Sequence, residues 1–109
     1  MWVITKAGFV SAVQHNDNPD VMRVRARRAE HLAFGLEVID FGSDASDYRY
    51  HCDVPRSEFA VWLLDRLSEV DYESHAKEAM AGDDSAFYGS LLGCWRELYR
   101  IQPRYDKVT

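Results

Sequence analysis

Hydrophobic and polar positions change their period along this chain. WVIT, from Trp2, is β-branched and aromatic, and FVSAVQH follows Gly8, which offers a bend or bulge. NDNPD, residues 16–20, is a cluster of turn formers. VMRVRAR then alternates, with Met22, Val24 and Ala26 on one face and Arg23, Arg25 and Arg27 on the other. Period two predicts a strand with one wet face, and the two segments predict an antiparallel hairpin. AEHLAFGLE is at best a short amphipathic helix, VIDF reads as a further strand, and GSDASD is a polar loop. YRYHCDV alternates again, placing Tyr48, Tyr50, Cys52 and Val54 on one side and Arg49, His51 and Asp53 on the other.

After Pro55 the period lengthens. Ser57 is a plausible N-cap for SEFAVWLLDRLSEV, in which Phe59, Leu63, Leu67 and Val70 follow the helical repeat beside Trp62. DYESHAKEAMAG predicts another helix, with a Glu73–Lys77 pair and Gly82 as its stop. A last helix is predicted from about Asp84 to Gln102, where Pro103 ends it. Its apolar stripe is Phe87, Leu91, Trp95 and Leu98, and Gly89 and Gly93 would admit a second backbone closely. Strands first and helices after predict an α+β fold: a small antiparallel sheet, built from the N-terminal hairpin and further strands, with three to four helices packed on one face. The 109 residues are expected to form a single domain, 1–109, with 103–109 a frayed tail.

Composition adds little to the class and more to the surface. Apolar residues at 47% and charged residues at 28% are ordinary for a globular protein, while 13% aromatics imply either a well-filled core or spare rings for a partner surface. No apolar run approaches the roughly 20 residues of a spanning helix, and MWVITKAGFV lacks the features of a secretory signal. Cys52 and Cys94 make no disulfide framework and predict two thiols in a reducing cytoplasm. The net charge is −5, yet four arginines and no acid fall within Val21–Arg28. Seven acids between Asp65 and Asp84 oppose only Arg66 and Lys77. A basic patch and an acidic zone are therefore expected.

Several phrases carry a resemblance: MWVITKAGFVSAVQH, the VRAR strand, DYRYHCDVPRSEF, EVDYESHAKEAM and FYGSLLGCWRELYRIQ. Across most of its length the chain resembles a family of small uncharacterised proteins of actinobacteria and their phages. The resemblance implies a bacterial or phage setting and brings no activity. Some members read Asn-Phe-Lys where this chain has Ser74-His75-Ala76-Lys77, so His75 gains no role from it.

The candidate site is one basic patch: Arg23, Arg25, Arg27, Arg49 and His51, with His15 or Gln14 joining if the register allows. On a strand the three alternating arginines stand about 6.5–7 Å apart. Three readings compete. The face is solvated, its arginines paired with acids such as Asp53, Asp47 or Glu30. It binds a protein, with arginine beside Tyr48 or Trp2 as the anchors. Or it contacts nucleic acid, against which the acidic pI of 5.2 stands. The expected function is a non-catalytic interaction module binding a host protein, with nucleic-acid binding as the alternative. A small hydrolase or nuclease using His51 or His31 is the third reading. His51 and Asp53 at i, i+2 offer a base and its orienting carboxylate but lack a third ligand, so neither cofactor nor metal is expected. Cys94, between Gly93 and Trp95, reads as packing. Asp83 and Asp84 have a structural use at a helix N-terminus, and the acidic stretch is a solvated face before it is a DNA mimic.

Overall fold

The computed structural model describes residues 1–70 and 84–106. Its two compact units are Met1–Tyr72 and Glu73–Thr109.

The first unit is an antiparallel sheet of five strands: β1 (Trp2–Thr5), β2 (Gly8–Gln14), β3 (Val21–Ala26), β4 (Ile39–Asp40) and β5 (Tyr50–Pro55). Their spatial order is β1-β2-β3-β5-β4. A two-residue connection, Lys6–Ala7, joins β1 to β2, with Thr5 opposite Gly8. Gly8 is needed there for two reasons. Its φ is +120°, a region side chains rarely adopt, and a Cβ would run into the His31 ring. The NDNPD segment turns β2 into β3: Asn18 Oδ1 accepts from the Asp20 N–H and His15 Nδ1 from the Asp17 N–H.

Alternation on β2, β3 and β5 sends Val10, Ala12, Val24, Ala26, Cys52 and Val54 to one face, where they form the core with Leu32 and Phe59. Helix α1 (Arg56–Ser68) lies against β3 and β5 on that face. Phe34, Phe59 and Trp62 make a small aromatic cluster, with centroids 5.1–6.1 Å apart. The core-facing positions of α1 are Phe59, Trp62 and Leu63. Leu67, expected on the same stripe, is exposed, because Arg66 takes the next inward position and lies over Trp62, and Val70 is exposed beyond the helix end at Ser68.

Ser57 does not cap this helix. The N-cap is Pro55, which carries no side-chain acceptor. The first turn is tied back instead: the Arg56 N–H donates to the Asp20 carbonyl, and its guanidinium donates to the Pro19 carbonyl and Gln14 Oε1. The expected helix at AEHLAFGLE shortens to a 3-10 turn, Ala29–His31, with Gly35 at φ +72° closing off any continuation.

In the second unit, α2 (Ser85–Asp106) is a 22-residue helix. Asp84 caps it, Oδ1 accepting from the Phe87 N–H, as its position at a helix start foretold. The helix runs through Pro103 rather than ending at Gln102. A proline forfeits its own N–H bond and crowds the carbonyl one turn back, but later residues still have acceptors. Leu91 is buried, Phe87 half-buried, and Trp95 and Leu98 exposed. Nothing among the described residues approaches a Cβ at Gly89 or Gly93.

The α+β class and the antiparallel sheet are present. The described residues hold two α-helices, fewer than the three to four expected. The helix expected over 71–82 lies outside the described residues, as do Asp83 and the last three residues of the tail.

Candidate functional site

The face of the sheet opposite α1 carries the chemistry. Strand register places Ser11 opposite Arg25, Arg25 opposite His51, and His51 opposite Ile39. Trp2 is opposite Ser11. One row therefore crosses all five strands: Trp2, Ser11, Arg25, His51, Ile39. The next row on this face is Val13, Arg23, Asp53.

Each arginine has a local occupation. Arg23 Nε donates to Asp53 Oδ1 at 3.1 Å, and His15 Nε2 stands 3.8 Å from the other carboxylate oxygen. His15 thus does join this face. Arg25 is the central and least exposed of the set. Its Nη2 donates to Ser11 Oγ at 2.8 Å, its Nη1 lies 3.7 Å from Asp47 Oδ2, and its guanidinium sits 4.8 Å from the Tyr48 ring centroid. Arg25 Nε is buried without a hydrogen-bond partner among the described residues. Arg27 covers the same ring, 4.4 Å from its centroid, and makes no ion pair among the described residues. Arg28 pairs with Glu30 at 3.3 Å. Asp53, Asp47 and Glu30, the acids expected of a solvated face, are thus beside their arginines.

Arg49 departs from the patch. Its guanidinium forks onto Asp40, with bonds of 2.8 and 3.0 Å, and lies over the ring of Tyr50, a residue packed against the core. The cause is the start of β5. The strand begins at Tyr50, and residues 48–49 precede it in a bend, so the alternation read through YRYHCDV holds only from Tyr50 on. Tyr48 is buried, at 6% exposure, but beneath Arg25 and Arg27 rather than with Tyr50. The Arg49 side chain and the Gly42 N–H together hold the Asp40 carboxyl down to about 2 from an ordinary 3.8, and the same bond raises the Arg49 pKa.

The histidines differ in what they have left to offer. His31 Nδ1 accepts from the Phe9 N–H at 3.2 Å, which fixes the ring as a latch on β2. His51 Nε2 faces the Tyr48 carbonyl at 3.2 Å. A carbonyl only accepts, so Nε2 carries the proton and Nδ1 is the acceptor of the neutral ring. The His51 ring packs on Phe41, with centroids 4.4 Å apart. Asp53 turns to Arg23 and His15 and does not orient His51. No group of three His, Cys, Asp or Glu residues able to hold a metal occurs among the described residues. Cys52 is in the core, where burial pushes its thiol pKa up, and Cys94 is exposed rather than packed.

Trp2 is legible in the sequence as an aromatic anchor beside arginine, whereas Phe9 and Phe41, the other rings of this face, are not. Trp2 is 68% exposed, with its ring edge-on to Phe9 at 5.3 Å. Phe41 is 54% exposed at the other end of the row. Beside it opens a pocket of about 320 Å³, lined by Phe41, Asp44, Ala45, Ser46, Asp47, Tyr48 and His51. The pairing of β1 with β2 and of β4 with β5 would have exposed Trp2 and Phe41, but a short β4 gives no periodic signal.

No family model matches the chain, and neither a curated protein nor a solved structure matches it. Among the described residues no helix is long and apolar enough to cross a membrane.

Proposed function

We propose that this chain is a non-catalytic interaction module whose sheet face opposite α1 binds another protein. The observation that carries this reading is the solvent-exposed Trp2, set beside Phe9 on a face whose arginines already have acidic or aromatic partners. Aromatic rings and arginines, locally charge-balanced, are the composition of a protein interface core. A polyanion would have to compete with Asp53 for Arg23 and with Asp40 for Arg49, which weighs against nucleic acid. The family resemblance makes a protein of the bacterial host the natural partner.

Arg23, Arg25, Arg27 and His51 stay in the proposed surface, joined by Trp2, Phe9 and Phe41. Arg49 is assigned to the Asp40 pair instead.

Capture from a nuclease-treated actinobacterial lysate tests the reading. The immobilised chain should retain a discrete polypeptide. Trp2→Ala, on a folded domain, should weaken its retention by roughly thirtyfold, the effect of losing a hot-spot side chain worth about 2 kcal/mol. Equal retention by Trp2→Ala, or material lost on nuclease treatment, contradicts it.

A further inference from the structure

The pocket at the β4 end of the face has a chemistry of its own. Two carboxylates line it, Asp44 and Asp47. Asp44 has no ion pair and its carboxylate accepts no hydrogen bond among the described residues. Asp47, 64% exposed at its side chain, stands 3.7 Å from Arg25 Nη1, longer than a hydrogen bond. In its neutral form the His51 ring adds Nδ1 as an acceptor, because Nε2 faces the Tyr48 carbonyl. Phe41 supplies an exposed aromatic wall. Among the neighbouring cations, Arg25 and Arg27 are laid on the Tyr48 ring, Arg25 is also held by Ser11, and Arg49 is bound to Asp40. The lining therefore offers acceptors and a π face with few donors.

Size and spacing narrow the ligand. A bare metal ion needs three or more ligands converging at about 2–2.6 Å, and these groups do not converge. A volume of about 320 Å³ suits an organic group. A planar cation fits best: it stacks on Phe41 while its N–H groups fork onto the carboxylates.

We infer that this pocket receives an arginine side chain of the bound protein, between the Phe41 ring and the Asp44 and Asp47 carboxylates. The inference rests on the protein-binding reading of the sheet face and names the partner feature that enters it.

N-acetyl-arginine amide, titrated into the full chain and followed by amide chemical shifts, separates the two claims. Saturable shifts confined to residues 41–51 are expected, with millimolar affinity. The citrulline analogue, neutral and of the same shape, should bind at least tenfold more weakly, as should Asp44→Asn/Asp47→Asn. The lysine amide should also bind more weakly than arginine amide. Absence of a saturable shift, equal binding of citrulline, equal binding of lysine, or an unaffected double variant each overturns the inference. If Asp44→Asn/Asp47→Asn retains the captured polypeptide fully while Trp2→Ala loses it, the pocket assignment fails and the interface stands. If neither variant affects capture, the interface itself fails.

Discussion

Arg25 on β3 and Arg27, one residue past its end, cover the same Tyr48 ring, yet they do different work. Arg25 satisfies the hydroxyl of Ser11, which is 2% exposed, and covers Tyr48 from inside the face. Arg27 covers the same ring from an exposed position. Arg25→Ala strands a buried hydroxyl and uncovers the ring, which should cost about 2 kcal/mol. Arg27→Ala gives up an exposed cation–π contact and should cost less than about 1 kcal/mol. Urea unfolding of the two variants checks this, and equal losses would contradict the division of labour. It follows that Arg27 and Trp2, not Arg25, are the clean probes of binding. The alternation in VMRVRAR made the shared face of these arginines legible. It could not rank them, because burial of Arg25 comes from Ser11 on β2 and Tyr48 beyond the loop, both set by long-range pairing.

At the scale of elements, β4 is held to β5 by two strand pairs and by the Asp40–Arg49 fork. A two-residue strand has little else, so this ion pair should matter more than most surface pairs. Asp40 has a folded pKa near 2 against an ordinary 3.8. A depressed carboxylate stabilises the fold above its unfolded pKa and loses that contribution as pH falls through the folded one. The difference in urea midpoint between wild type and Asp40→Asn should therefore be largest above pH 4 and shrink toward pH 2. A pH-independent difference would contradict the assignment. The pair was hidden in the sequence because strand alternation, extended two residues too far, gave Arg49 to the patch. The true boundary depends on the bend before Tyr50, for which GSDASD supplied only a generic loop signal. The stripe on α1 was legible at Phe59 and Leu63 but drifted at Leu67, since periodicity fixes spacing and the sheet decides how far along the helix it reaches, and the helix ends at Ser68, short of Val70.

For the whole molecule, the class followed from the order of periods, two and then 3.6, and the sheet and α1 confirm it. The function did not follow, because no residue set has the spacing of a reaction, and a binding face is made by neighbours across strands. Trp2, Arg25 and His51 belong to three strands and meet only through register. Apolar groups are exposed elsewhere too, among them Leu64 on α1 and Trp95 on α2, so locating the bound partner is the decisive question. Hydroxyl-radical footprinting of the chain with and without its captured partner answers it. Protection concentrated at Trp2, Phe9 and Phe41, with Leu64 and Trp95 unchanged, is the outcome required of a sheet-face interface. Protection of Leu64 or Trp95 with Trp2 and Phe41 still oxidised would place the partner on a helix and contradict the central claim.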